Sequence, residues 1–127
     1  MLQYKGVTQQ KPDSITKADK QKNMKLLIIT SIKEYQQSVA DILRKTGISV
    51  FSVSETTGFK NNDGEPLMND WFGTGEGSFE SVVLFSFTTE EKATITVNML
   101  KEYNQKQAEH FPVRAFVLPV EQSSYQL

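Results

Sequence analysis

The sequence predicts an α+β domain with the element order β-α-β-β-α-β and an antiparallel sheet. Three observations carry this. Four short apolar runs alternate with two amphipathic stripes of helical period. Helix-start and helix-stop signals stand where the periods change. The strand-like runs are apolar on both of their faces, as strands packed on both sides are.

The run KLLIIT at 25–30 is the first strand candidate. SIKE at 31–34 follows with the spacing of a capping box, Ser31 to Glu34, and predicts a helix start. Tyr35, Val39, Ile42 and Leu43 then fall on one helical face. Gly47 stands just past the last turn, the usual place for a glycine stop. A second strand is expected at about 49–56, where Phe51 and Val53 alternate with Ser52 and Ser54. A long polar connection at 60–77 precedes a third strand at 81–87. TTEE at 88–91 gives a second capping box, with Thr88 as its cap and Glu90 and Glu91 favouring the positive helix end. Ala93, Val97 and Leu100 form the next stripe, widened by Ile95 and Met99, and the helix fades near Gln107. The last strand is expected at 113–120. This order is the ferredoxin-like pattern, with both helices on one face of the sheet. The other face would stay bare although LLII at 26–29, VVLF at 82–85 and AFVL at 115–118 are apolar throughout. A bare apolar face marks an association surface.

At 127 residues the chain fits one domain. Residues 1–23 read as a polar, disordered tail, with five lysines against two aspartates, and residues 24–127 as the folded unit. A net charge of −1 gives no basic excess for nucleic acid. The absence of cysteine excludes disulfides, thiolate zinc sites and a cysteine nucleophile, and fits a cytoplasmic setting. No apolar run approaches the roughly 20 residues of a membrane span, so direct membrane insertion is not expected.

The 60–77 connection is too long to be a simple link in so small a domain. It holds the only tryptophan, in Asp70-Trp71-Phe72, followed by Gly73, Gly75 and Gly77. Trp71 and Phe72 suit either an anchor for a partner or packing against the domain or a neighbouring copy. The glycines suit loop flexibility better than a phosphate cradle, since no helix opens after them.

The run GISVFSVSETTGF at 47–59 resembles the second strand of the PII signal-transduction proteins, which leads into their mobile T-loop. FVLPVE at 116–121 is similar to the last strand of the same family. Together with element order and loop length, the likeness covers about residues 24–121. It implies a homotrimer that binds a small molecule, often an adenine nucleotide, in clefts between subunits. It also implies signalling through the loop at 60–77 to a target, commonly a membrane transporter or an enzyme. Matched position by position, the resemblance assigns ligand contacts to Ser52, Glu55, Gly58, Phe59 and Arg114. Arg114 stands where the family carries a phosphate-binding lysine. The family's glycine-rich phosphate loop is replaced by EHFPV at 109–113, and its two C-terminal arginines by Tyr125 and Leu127. Three phosphates would meet little positive charge here.

Other chemistry finds no constellation. His110 is the only histidine, which rules out a triad or a multi-histidine metal site within one chain. Asp63, Glu65 and Asp70 do not have EF-hand spacing. No nucleophile stands beside an evident base. The leading expectation is a PII-like regulator and not an enzyme. The alternative is a trimeric metal-tolerance or structural module of the same fold without a nucleotide site. A small ferredoxin-like enzyme is the third reading.

Overall fold

The computed structural model describes residues 23–60, 77–107 and 111–124. Strand β1 spans Met24–Ile32, and a 3-10 turn at Lys33–Tyr35 leads into helix α1, Gln36–Lys45. Strands β2 (Ser52–Lys60) and β3 (Gly77–Thr89) follow, then helix α2 (Glu90–Lys106) and strand β4 (Arg114–Pro119). All neighbours in the sheet are antiparallel, in the order β2-β3-β1-β4. This is the expected ferredoxin-like arrangement. Trp71, Phe72, the acidic loop residues and His110 lie outside the described residues.

Strand residues alternate between two faces. Leu27, Ile29, Val82 and Leu84 point to the helix side and are buried there with Val39, Ile42, Leu43, Ile48, Leu100 and Val113. Both helices spend their apolar stripes on this single core. At its far end Asn104 stitches α2 to the start of β4: its Nδ2 donates to the Val113 carbonyl at 2.9 Å, and its Oδ1 accepts from the Val113 N–H at 2.8 Å.

Helix α1 ends as expected at Gly47, whose φ of 88° lies in the left-handed region. The Gly47 N–H donates to the Arg44 carbonyl at 3.0 Å and the Ile48 N–H to the Leu43 carbonyl at 2.9 Å. This is the Schellman pattern, and Ile48 and Leu43 supply its apolar contact within the core. A Cβ on Gly47 would also sit 3.3 Å from the Lys92 Cε. Gly47→Ala should cost about 1–2 kcal/mol for the left-handed backbone. The check is a urea melt, in which the midpoint should fall with an unchanged slope.

Several local expectations need correction. Ser31 does not cap α1. It lies in β1, opposite Val82, with its Oγ donating to the Ile32 carbonyl. Pairing of β1 with β3 runs on to Ile32 and overrides the capping pattern, so the chain enters the helix through the 3-10 turn with no side-chain cap. Thr88 is likewise buried in β3, opposite Lys25, and the cap of α2 moves to Thr89, whose Oγ1 accepts from the Lys92 N–H at 3.3 Å. Strand β2 begins at Ser52 rather than 49, because the Ile48 N–H is spent on the helix cap and the Val50 carbonyl accepts from the Ser86 Oγ at 2.7 Å. In α2, Ile95 is exposed and Thr96 is buried in its place. The Thr96 hydroxyl fits the core because it reaches the Lys92 carbonyl and the Thr46 Oγ1, both at 2.8 Å.

Candidate functional site

Among the described residues no helix packs on the second face of the sheet, the open face, although Thr30 and Ser81 on it are buried. Cross-strand partners share a face, so the register defines its rows. One row reads Ser52, Phe85, Ile28, Phe116, and the next towards the β1 start brings Phe87, Leu26 and Leu118 together. Phe85, Phe87 and Leu118 are 38, 48 and 42% exposed. The rings of Phe85 and Phe87 meet edge to face, with centroids 6.4 Å apart. Towards the long loop the rows turn polar: Ser54, Val83, Thr30, Arg114, then Thr56, Ser81, Ile32. The face therefore has an apolar half and a hydroxyl-rich half. Across these four rows Arg114 is the only charged residue. Ser81 Oγ is buried in the polar half with no hydrogen-bond partner.

The candidate ligand residues are spread over this frame. Ser52 is exposed on the open face at the start of β2. Gly58, six residues on, is buried opposite Phe79. Six residues of strand span roughly 20 Å. Arg114, half-buried at the start of β4, shares the open face with Ser52 but stands on the opposite sheet edge, three strand spacings or roughly 14 Å away. Glu55 and Phe59 alternate to the helix side instead. There Glu55 pairs with Lys33 at 3.3 Å, and both side chains are exposed, so the pair adds little stability. One chain thus does not bring the five residues together. The two edges hold separate parts of the set.

The structure also shows two grooves that the sequence did not suggest. The connection from α1 to β2 forms one of about 350 Å³, lined by Gly47, Val50, Ser86, Phe87, Thr88 and Lys92. Lys92 Nζ donates to the Gly47 carbonyl at 3.2 Å across this connection. A smaller hollow of about 170 Å³ joins Val50 and Phe51 to Ser52, Phe85 and Phe87. The other groove, of about 400 Å³, runs between α2 and β4. Val97, Val117 and Pro119 line it with Lys25, Lys101 and Glu90. Among the described residues no three His, Cys, Asp or Glu side chains cluster as metal ligands, and no helix is long and apolar enough to cross a membrane.

The four-stranded antiparallel sheet with two helices on one face defines the ferredoxin-like class. Within it, the chain has the fold of the PII-like proteins. It is similar to a DUF3240 family protein from Shewanella baltica OS155, with a TM-score of 0.57 and 16% identity over 83% of this chain and 98% of that one. It is similar to Arabidopsis thaliana PII bound to citrate, with a TM-score of 0.56 and 19% identity over 77% of this chain and 78% of that one. It is also similar to CPII, a nitrogen regulatory PII-like protein from Thiomonas intermedia K12 bound to ADP, AMP and bicarbonate. That match has a TM-score of 0.53 and 13% identity over 79% of this chain and 94% of that one. No family model and no curated protein matches the sequence.

Proposed function

We propose that this protein is a PII-like regulator and not an enzyme. Copies assemble through their open sheet faces, as a homotrimer by analogy with the family resemblance. A small molecule binds in the cleft between copies, near Ser52, Gly58 and Arg114. Binding orders or releases the loop at 60–77, where Trp71 and Phe72 meet a partner, a transporter or an enzyme, in the cytoplasm. The observation that supports this reading is the division of the candidate residues between the two outer strands of the described sheet, beside a sheet face that no described helix covers. A neighbouring copy can supply the missing half.

The structural neighbours hold adenine nucleotides with bicarbonate in one case and citrate in another. These are anionic ligands, and Arg114 is the residue here suited to them. A thermal-shift screen against ATP, ADP, AMP, bicarbonate, citrate and divalent metals, with light scattering on the same samples, tests the proposal. A ligand at about 100 times its dissociation constant should add about 2.7 kcal/mol. Arg114→Ala should remove that shift and leave the mass unchanged. A trimer indifferent to every ligand favours the second reading, a metal-tolerance or structural module without a nucleotide site. One observation supports that second reading: across the four rows of the open face from Phe87 to Ser81, Arg114 is the only charge.

A further inference from the structure

Strand β3 outruns one of its neighbours. Its pairing with β2 stops at Phe85, opposite Ser52, while its pairing with β1 continues to Thr89. Beside Ser86 to Thr89 the place of β2 is taken by the connection from α1, which is not a strand. The bond from Ser86 Oγ to the Val50 carbonyl tethers the two. The groove of about 350 Å³ lies beside this tether. None of Ser52, Glu55, Gly58, Phe59 and Arg114 lines it.

The charge in this groove has one sign. Lys92 is the only charged side chain among the described residues that line it. Its bond to the Gly47 carbonyl uses one of the three ammonium N–H groups. The ion pairs among the described residues are Lys33 with Glu55 and Arg44 with Asp41, and neither neutralises Lys92. Glu90 and Glu91 follow Thr89 in the chain but do not line this groove. Thr89 does, and as the cap of α2 it brings the positive end of a 17-residue helix there. A second observation is independent of the helix end. Thr88 is only 5% exposed, yet it lines the groove. No hydrogen bond among the described residues reaches its hydroxyl, whereas the hydroxyls of Ser86 and Thr89 on either side have partners. Buried polar groups are normally hydrogen-bonded, so this hydroxyl points to a partner that enters from the groove. The wall beside it is apolar: Val50 is 81% exposed, and Phe87 is exposed next to it.

We propose that this groove is a second ligand site, built within one chain, and that it takes a compact oxyanion carried on a small apolar group. The oxyanion sits between the Lys92 ammonium, the Thr88 hydroxyl and the first turn of α2. Charge-assisted hydrogen bonds hold it there. The apolar group lies against Val50 and Phe87. A bare inorganic anion would leave that wall unused. The site needs neither a neighbouring copy nor Arg114, so it stands or falls separately from the function proposed above.

The test is an amide NMR titration of the full chain with phenyl phosphate, benzoate and inorganic phosphate, at an ionic strength held constant with sodium chloride. The expected result is saturable shifts centred on Ser49, Val50, Thr88 and Thr89, with a phenyl compound binding more tightly than inorganic phosphate. The tighter of the two phenyl compounds names the head group, phosphate or carboxylate. Lys92→Met should weaken binding roughly tenfold or more. Val50→Asp sets a carboxylate at the mouth without touching the core and should abolish binding. Arg114→Ala should leave it unchanged. Shifts that stay linear, or that sodium chloride alone reproduces, overturn the proposal. So do shifts that vanish with Arg114→Ala and survive Val50→Asp, which assign the anion to the other site.

Discussion

Phe85→Asp is expected to convert the proposed assembly into monomers that keep the native circular dichroism spectrum. Phe85 lies on β3, a central strand, in the middle of the open face, and its ring is braced by Phe87. Its backbone pairs with Ile28 on one side and Ser52 on the other, so the fold does not depend on its side chain being covered. In an assembly the ring would be buried and a carboxylate in its place desolvated. Truncating a well-buried aromatic at an interface costs about 2 kcal/mol or more, which is roughly 30-fold in affinity at each contact. A buried unpaired charge adds to that. Light scattering across a dilution series reads the result. Glu102→Gln, on the exposed side of α2, should leave the mass unchanged. A multimer that survives Phe85→Asp at every concentration would exclude the open face from the contact.

Leu84→Ala is expected to give the largest loss of stability within one subunit, about 3 kcal/mol. Leu84 is fully buried between the sheet and the helices, next to Ile29 across the strand pair. Its removal leaves a cavity among rigid neighbours from β1, α1 and α2. A domain of this size has only about 5–15 kcal/mol in total, so the effect on the denaturation midpoint should be plain. Ile95→Ala provides the contrast. Ile95 projects from α2 into solvent, and its loss should change stability by less than about 0.5 kcal/mol. Denaturant melts in the Phe85→Asp background would keep unfolding separate from dissociation. Equal losses at the two positions would contradict the assignment of the α2 stripe.

The element order was legible because periodicity survives in a single sequence. The Tyr35, Val39, Ile42 and Leu43 stripe and the Gly47 stop need no tertiary information, and each stands where expected. The two helix caps were misread for a common reason. Ser31 and Thr88 have the right residue type at the right spacing, but each is captured by the β1–β3 ladder, whose extent depends on a partner strand more than fifty residues away. Ile95 and Thr96 exchanged roles because hydrophobicity alone ranks isoleucine inside. It does not count the carbonyl of Lys92 and the hydroxyl of Thr46 waiting in the core. At the candidate site, period-two alternation separates Ser52 and Gly58 from Glu55 and Phe59, a distinction that follows only once the register fixes which face is open. The Lys92 contact with Gly47 bridges 45 positions and has no local signature at all.

The placement of the strand ends has a practical corollary for handling the protein. The Val120 N–H donates to the Met24 carbonyl at 3.3 Å, so the chain enters β1 and leaves β4 at one point of the sheet. The long loop departs from the other extremity, where Lys60 faces Gly77. The thirteen residues of β3 lie between the two places, a span of roughly 40 Å. A label placed at the Met24 and Val120 end of the described sheet therefore attaches at the extremity opposite Lys60 and Gly77.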